Sequence, residues 1–175
     1  MDKPPDSVTL ATAYLILFSA VSERNTDAMK AHLCGFTPFS RIRAMRITSE
    51  IFQVGGGPLS SPEDAAIYLI VFGEEAALVD SGCGEGTDRL LANVKKSGVD
   101  TATIKYLLLT HCHFDHTGGA AELKRRVGME IVAHQLDALY LESGDNRVTA
   151  AGWYGSVLKP FKVDRKLTQS REEIL

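Results

Sequence analysis

The hydrophobic positions of this 175-residue chain change their spacing near Met45. Before that point the apolar residues form only two weak helical stretches, about 7–21 and 26–33. After it, short apolar runs alternate with segments of helical period. The stretch MRITSEIFQV (45–54) reads as a strand, closed by the turn Gly55-Gly56-Gly57-Pro58. Two further short strands, 65–72 and 76–80, flank the turn residues Gly73-Glu74. Leu90, Leu91 and Val94 then share one face of a helix that Thr87 can cap, ending at Lys96 with Gly98 beyond it. The continuous apolar run IKYLLLT (104–110) has the pattern of a strand buried on both faces. A second helix is expected from Gly118 or Gly119 to Val127, stopped by Gly128. EIVAH (130–134) is another strand and QLDALYLES (135–143) a third helix. Strand and helix alternating in this way predict an α/β layer architecture. On this reading residues 1–44 are an N-terminal helical extension, and 45–175 are the domain.

With 45% hydrophobic residues the chain can build one substantial core. A net charge of −3 leaves no basic surplus to neutralise phosphates, so nucleic acid is not the expected partner. Cys34, Cys83 and Cys112 lack the spacing of a disulfide framework and suit reduced thiols in a cytoplasmic protein. The apolar segment Val8 to Phe18 is too short to span a bilayer, so no membrane association is expected. Its flank MDKPPD carries two acids against one lysine, the wrong sign for a secretory leader. Ala20-Val21-Ser22 has the small residues of a cleavage site, but a helix packed on the domain is the preferred reading.

Candidate chemistry is concentrated in one place. Three of the five histidines lie in THCHFDH (110–116), at the end of the buried strand. His111 and His113 are two apart, so strand geometry projects both side chains to the same side. Imidazole is the commonest protein ligand for zinc, and two on one side make half of a tetrahedral site. Asp115 and His116 add a carboxylate and a third imidazole where the chain turns toward the next helix. The four are expected to gather at the end of the 104–110 strand. They are too many for one ion and suit two adjacent metals, one pair for each. A plainer reading makes Asp115 a helix cap and the histidines ordinary loop residues; it leaves three histidines unexplained.

The order His-x-His-x-Asp-His, followed by Thr117-Gly118-Gly119, resembles the metallo-β-lactamase superfamily. ALVDSG (77–82) resembles that family's strand ending in an aspartate, here Asp80. GGAAELKRRVGMEIVAH resembles the helix and strand after the motif. The stretches TAAGWYG and KPFKVDRKL bring the chain nearest to the glyoxalase II-like hydrolases. The resemblance covers about 45–175 and implies the first half of an αββα sandwich. It also implies a centre of two zinc ions, or of iron or a mixed pair, with His111 and His113 on the first metal and Asp115 and His116 on the second. Asp115 would be the catalytic carboxylate, and Asp80 would orient a ligand by accepting a hydrogen bond. A hydroxide at the metals would attack a thioester, ester or lactone of a small-molecule substrate.

The chain departs from that family in its ligand count. Two further histidines and a bridging aspartate would belong to a second half that this sequence does not contain, so the domain is expected to be incomplete at its C-terminus. Such a chain is expected to bind zinc weakly and to self-associate through an uncovered face. An inactive half-domain is one alternative; an iron-dependent redox member, such as a persulfide dioxygenase, is another. The diiron branch has glutamate where His113 stands, which argues against it. Among spare residues, His32 lies in the extension, His134 is expected to start a helix, and Cys112 is expected to face the core. Cys83 reads as a small residue in a glycine-rich turn and Trp153-Tyr154 as core aromatics, although both could approach the cleft. ELKRR (122–126) reads as a solvated helix face.

Overall fold

The computed structural model of the protein describes residues 44–168. The helical stretches expected within 1–44, with His32 and Cys34, lie outside the described residues. Seven strands form one sheet whose spatial order is the chain order: β1 (Met45–Arg46), β2 (Ile51–Gly55), β3 (Ile67–Phe72), β4 (Glu75–Val79), β5 (Ile104–Leu108), β6 (Glu130–His134) and β7 (Arg165–Leu167). The first four pair antiparallel, and β4 through β7 pair parallel. Each parallel step is bridged by helix: α1 (Thr87–Lys96), then α2 (Phe114–Thr117) with α3 (Ala120–Val127), then α4 (Gln135–Ser143).

Crossovers between parallel strands are right-handed, so three taken in one direction across a sheet place their helices on the same face. The core occupies that face. Ile67, Leu69, Ala76, Leu78, Leu107 and Ile131 from the strands meet Leu90 and Val94 of α1, Leu123 of α3, and Ala138 and Leu141 of α4. The alternate strand positions, Tyr68, Ile70, Ala77, Val79, Leu108 and Val132, are buried as well but lie outside that cluster. One sheet with helices on one face is half of an αββα sandwich. Among the described residues, no helix is long and apolar enough to cross a membrane.

Local chemistry explains where the elements differ from the pattern-based expectation. The strand expected over 45–54 is a hairpin, because Thr48 folds the chain back: its hydroxyl accepts the N–H groups of Glu50 and Ile51, and Ile47 N–H reaches Ile51 O at 2.8 Å. Thr87 is the first helical residue of α1 and does not cap it; Gly86 holds the cap position, and the Thr87 hydroxyl donates to Gly84 O. Asp115 likewise caps nothing, since His113 occupies the position before α2. Gly128, at φ 85, ends α3 in the left-handed region that glycine adopts without steric cost. The three-residue edge strand β7 is too short to leave a periodic signature.

Candidate metal centre

The site is built where β4 and β5 end side by side. Val79 pairs with Leu108, and one residue further on Asp80 takes φ 64, a left-handed conformation that aspartate tolerates better than most residues. This turn aims a carboxylate that is only 3% exposed across the end of β5. Asp80 Oδ1 accepts the Thr110 N–H at 2.9 Å, and the Thr110 hydroxyl lies 3.0 and 2.9 Å from its two oxygens. Asp80 Oδ2 lies 2.7 Å from His116 Nδ1. No buried side-chain nitrogen or oxygen among the described residues is left without a partner.

These contacts set the tautomers. Carboxylate oxygens only accept, so His116 Nδ1 carries the proton and its Nε2, 3.5 Å from Asp115 Oδ2, is left with the lone pair in the neutral ring. The Thr110 hydroxyl spends its proton on Asp80, so His111 Nδ1, at 3.1 Å, donates to Thr110 Oγ1. His111 Nε2 is then an acceptor too. Burial works against a charged His116, but the hydrogen bond and charge of Asp80, with help from Asp115, hold its pKa above the ordinary value. For His111 burial comes first, the neighbouring His116 and His113 add to it, and its pKa lies below the ordinary value. A depressed pKa keeps an imidazole neutral and able to ligate at neutral pH.

The ring of His111 stands 4.7 Å from that of His113 and 4.1 Å from that of His116, so the three imidazoles share one side of the strand end. Asp115 adjoins them through His116. Full convergence on one space does not occur: among the described residues, no three His, Cys, Asp or Glu side chains are grouped to hold a metal ion. By type, and by the tautomers above, the donors suit a metal, and the described residues do not close a complete shell. His113 is the residue before the short α2, and Asp115 and His116 lie within it.

The backbone of the motif is held from several directions. Cys112 N–H donates to Asp137 of α4 and Phe114 N–H to Thr149 O, while Ala65 N–H donates to Asp115 O. Ser81 gives both its N–H and its hydroxyl to His116 O. The Thr117 hydroxyl lies within hydrogen-bonding reach of Cys112 O and His113 O. Gly118 and Gly119 allow the 81–84 loop to approach, since a Cβ at Gly118 would stand 2.5 Å from Cys83 O. Thr110 and these glycines are part of the motif stretch, but their function depends on a loop about thirty residues earlier.

The other candidates fall outside the donor set. Cys112 packs in the core, and burial pushes its thiol up to about 11, with Asp137 adding to the effect. Cys83 sits in the loop beside the site; burial, then Asp64 and Asp115, push its thiol up to about 12. Neither is a thiolate at neutral pH, and both are free. His134 ends β6 and accepts the Leu136 N–H, capping α4. Trp153 corrects the core expectation. It is 88% exposed, displaced by a turn in which Ala150 and Gly155 are both left-handed, while Tyr154 packs on Phe114.

The fold carries a His-x-His-x-Asp-His loop at a strand end, and the family follows from a match along the chain. The metallo-beta-lactamase superfamily model matches residues 61–171, and the chain belongs to that superfamily. A ribonuclease Z of Nocardia farcinica is 37% identical over 94 residues, 51% of this chain and 29% of that protein. A hydroxyacylglutathione hydrolase of Anaeromyxobacter dehalogenans is 40% identical over 76 residues, 43% of this chain and 28% of that protein. The fold is that of the native FEZ-1 metallo-beta-lactamase from Legionella gormanii, with a TM-score of 0.63 and 24% identity over 77% of this chain and 49% of that one. The chain thus spans half or less of the length of these proteins.

Proposed function

We propose that this chain carries the metal-binding half of a hydrolase that cleaves a thioester, or a related ester or lactone, of a small-molecule substrate. His111 and His113 would hold one ion, Asp115 and His116 a second. Zinc is the favoured metal, with iron or a mixed pair compatible with the same donors. When bound, such ions lower the pKa of water from about 15.7 to near 7 and so supply hydroxide for attack on a carbonyl at neutral pH.

The protein's own residues prepare that chemistry. Asp80 holds the His116 proton on Nδ1 and keeps the ring aimed by its second oxygen, while Thr110 does the same for His111. Asp115, next to the lone pair of His116, would present its carboxylate to the same ion and to the attacking hydroxide. The observation that carries the reading is the Asp80–Thr110–His111 and Asp80–His116 network, which occupies both Nδ1 atoms and leaves Nε2 as the nitrogen each ring can offer a metal. The hydroxyacylglutathione hydrolase relative supports an acyl thioester, and a net charge of −3 weighs against the RNA substrate of the ribonuclease Z relative.

The test is a zinc titration of the purified chain and of its His111→Ala and His116→Ala variants, followed by hydrolysis assays on an acyl-glutathione thioester, a lactone and a structured RNA. Weak metal uptake that both variants weaken further is expected, with little turnover of any substrate and what there is falling on the thioester. Uptake indifferent to both histidines, or cleavage of the RNA alone, would sink the proposal.

A further inference from the structure

The carboxylate of Asp137 is placed where a helix-capping group would be, and does something else. It is the third residue of α4, the position from which an acidic side chain commonly reaches back to the N–H of the cap residue. Here the cap is His134, whose imidazole accepts the Leu136 N–H. The Asp137 carboxylate instead crosses to another segment, and its Oδ1 accepts the Cys112 N–H at 3.0 Å. Cys112 is the residue between His111 and His113. Holding its amide fixes the His111–Cys112 peptide plane, the first of the two planes between the histidines, and so restrains the direction in which the His111 side chain leaves the chain relative to His113.

From this contact we infer that Asp137 is a positioning residue for the His111–His113 ligand pair. The inference rests on the metal reading above. Other supports reach the motif elsewhere: Asp80 takes the Thr110 amide, Thr149 O the Phe114 amide, and Ser81 the His116 carbonyl. The Cys112 amide, the first of the two between the ligands, is held by Asp137. An acceptor lost there would leave the peptide free to rotate, and the ring pair, now 4.7 Å apart at the centroids, would lose its common direction. Outer partners of this kind alter metal affinity by about 10–100-fold when removed.

The experiment compares the full 175-residue chain with Asp137→Ala, Asp137→Asn and His134→Ala, measuring Zn²⁺ affinity by competition with a chromophoric chelator and Co²⁺ binding by its visible spectrum. Asp137→Ala should weaken Zn²⁺ binding about 10–100-fold and alter the Co²⁺ spectrum. Asp137→Asn keeps an oxygen acceptor and should restore affinity to within about threefold of the parent. His134→Ala removes the helix cap without touching the motif, and should lower the melting temperature while leaving the Co²⁺ spectrum unchanged. An Ala variant that binds as the parent does, an Asn variant as weak as the Ala, or a His134→Ala spectrum like that of Asp137→Ala would each overturn the positioning role. If the parent chain takes up neither Zn²⁺ nor Co²⁺, the metal reading itself falls, and this inference with it.

Discussion

Replacing Asp80 by asparagine tests the site's logic with little change in shape. Asparagine tolerates φ 64 as aspartate does and keeps one oxygen for the Thr110 amide. Where Oδ2 now accepts from His116 at 2.7 Å, the variant presents an NH₂ group, so donor faces donor. Two outcomes are open to the ring. It can lose the bond, at about 1.5–3 kcal/mol if the histidine is charged. Or it can move its proton to Nε2 and accept from the new amide, which costs the fold little but occupies the nitrogen that would bind metal.

Both outcomes predict a folded protein, no more than about 3 kcal/mol less stable, whose metal affinity is reduced about 10–100-fold. Urea unfolding and a Zn²⁺ competition titration read the two quantities separately. The metal-free parent adds a pH signature. His116 has a raised folded pKa, so its pairing with Asp80 stabilises fully below the unfolded value of about 6.5, and the contribution is lost as pH rises through the folded value. In Asp80→Asn that fall in stability should disappear. A folded variant that keeps parental metal affinity, or retains the same pH slope, would refute the tautomer argument.

Three further outcomes are expected. Asp164 accepts from Lys124 Nζ and Ile131 N–H and so ties the start of β7 to α3 and β6; Asp164→Ala should cost about 1–2 kcal/mol by urea denaturation. Burial raises the Asp164 pKa but Lys124 lowers it further, so this contribution should hold above the unfolded value of about 3.9 and vanish as pH falls through the folded one. Gly118→Ala should destabilise by about 1–3 kcal/mol and weaken metal binding together, because the added methyl meets the Cys83 carbonyl carbon and oxygen, which cannot yield without moving the loop. Leu107→Ala, in a fully buried position of the interior strand β5, should cost about 2–5 kcal/mol in the same assay without altering the Co²⁺ spectrum.

Much of this architecture was readable in the residues. The apolar run of β5, the face of Leu90, Leu91 and Val94, and the glycine stop at Gly128 are local signals, and each produced the element expected of it. The ligand-type residues were legible because four of them crowd into six positions. Geometry that depends on distant partners was not. The family resemblance marks Asp80 as orienting a ligand, but nothing near His116 shows that it is this ring, 36 positions later, whose proton Asp80 sets. A strand-like run over 45–54 hides the Thr48 turn, whose hydroxyl competes for N–H groups that a strand would use. Trp153 carries the composition of a core residue, and only the left-handed backbone at Ala150 and Gly155 places it in solvent.

A sheet whose spatial order repeats its chain order has a consequence for assembly. Every ladder joins a strand to the one made just before it, so each pairing waits only for the segment that connects the two. Pairing of this kind allows a chain to add strands edgewise during synthesis. The metal loop does not follow the same schedule. Asp80 and His116 can meet as soon as β5 is laid down, whereas Cys112 and Phe114 must wait for Asp137 and Thr149. On the ribosome the ligand bed would therefore form in two stages, the second set by the arrival of α4 and the turn beyond it.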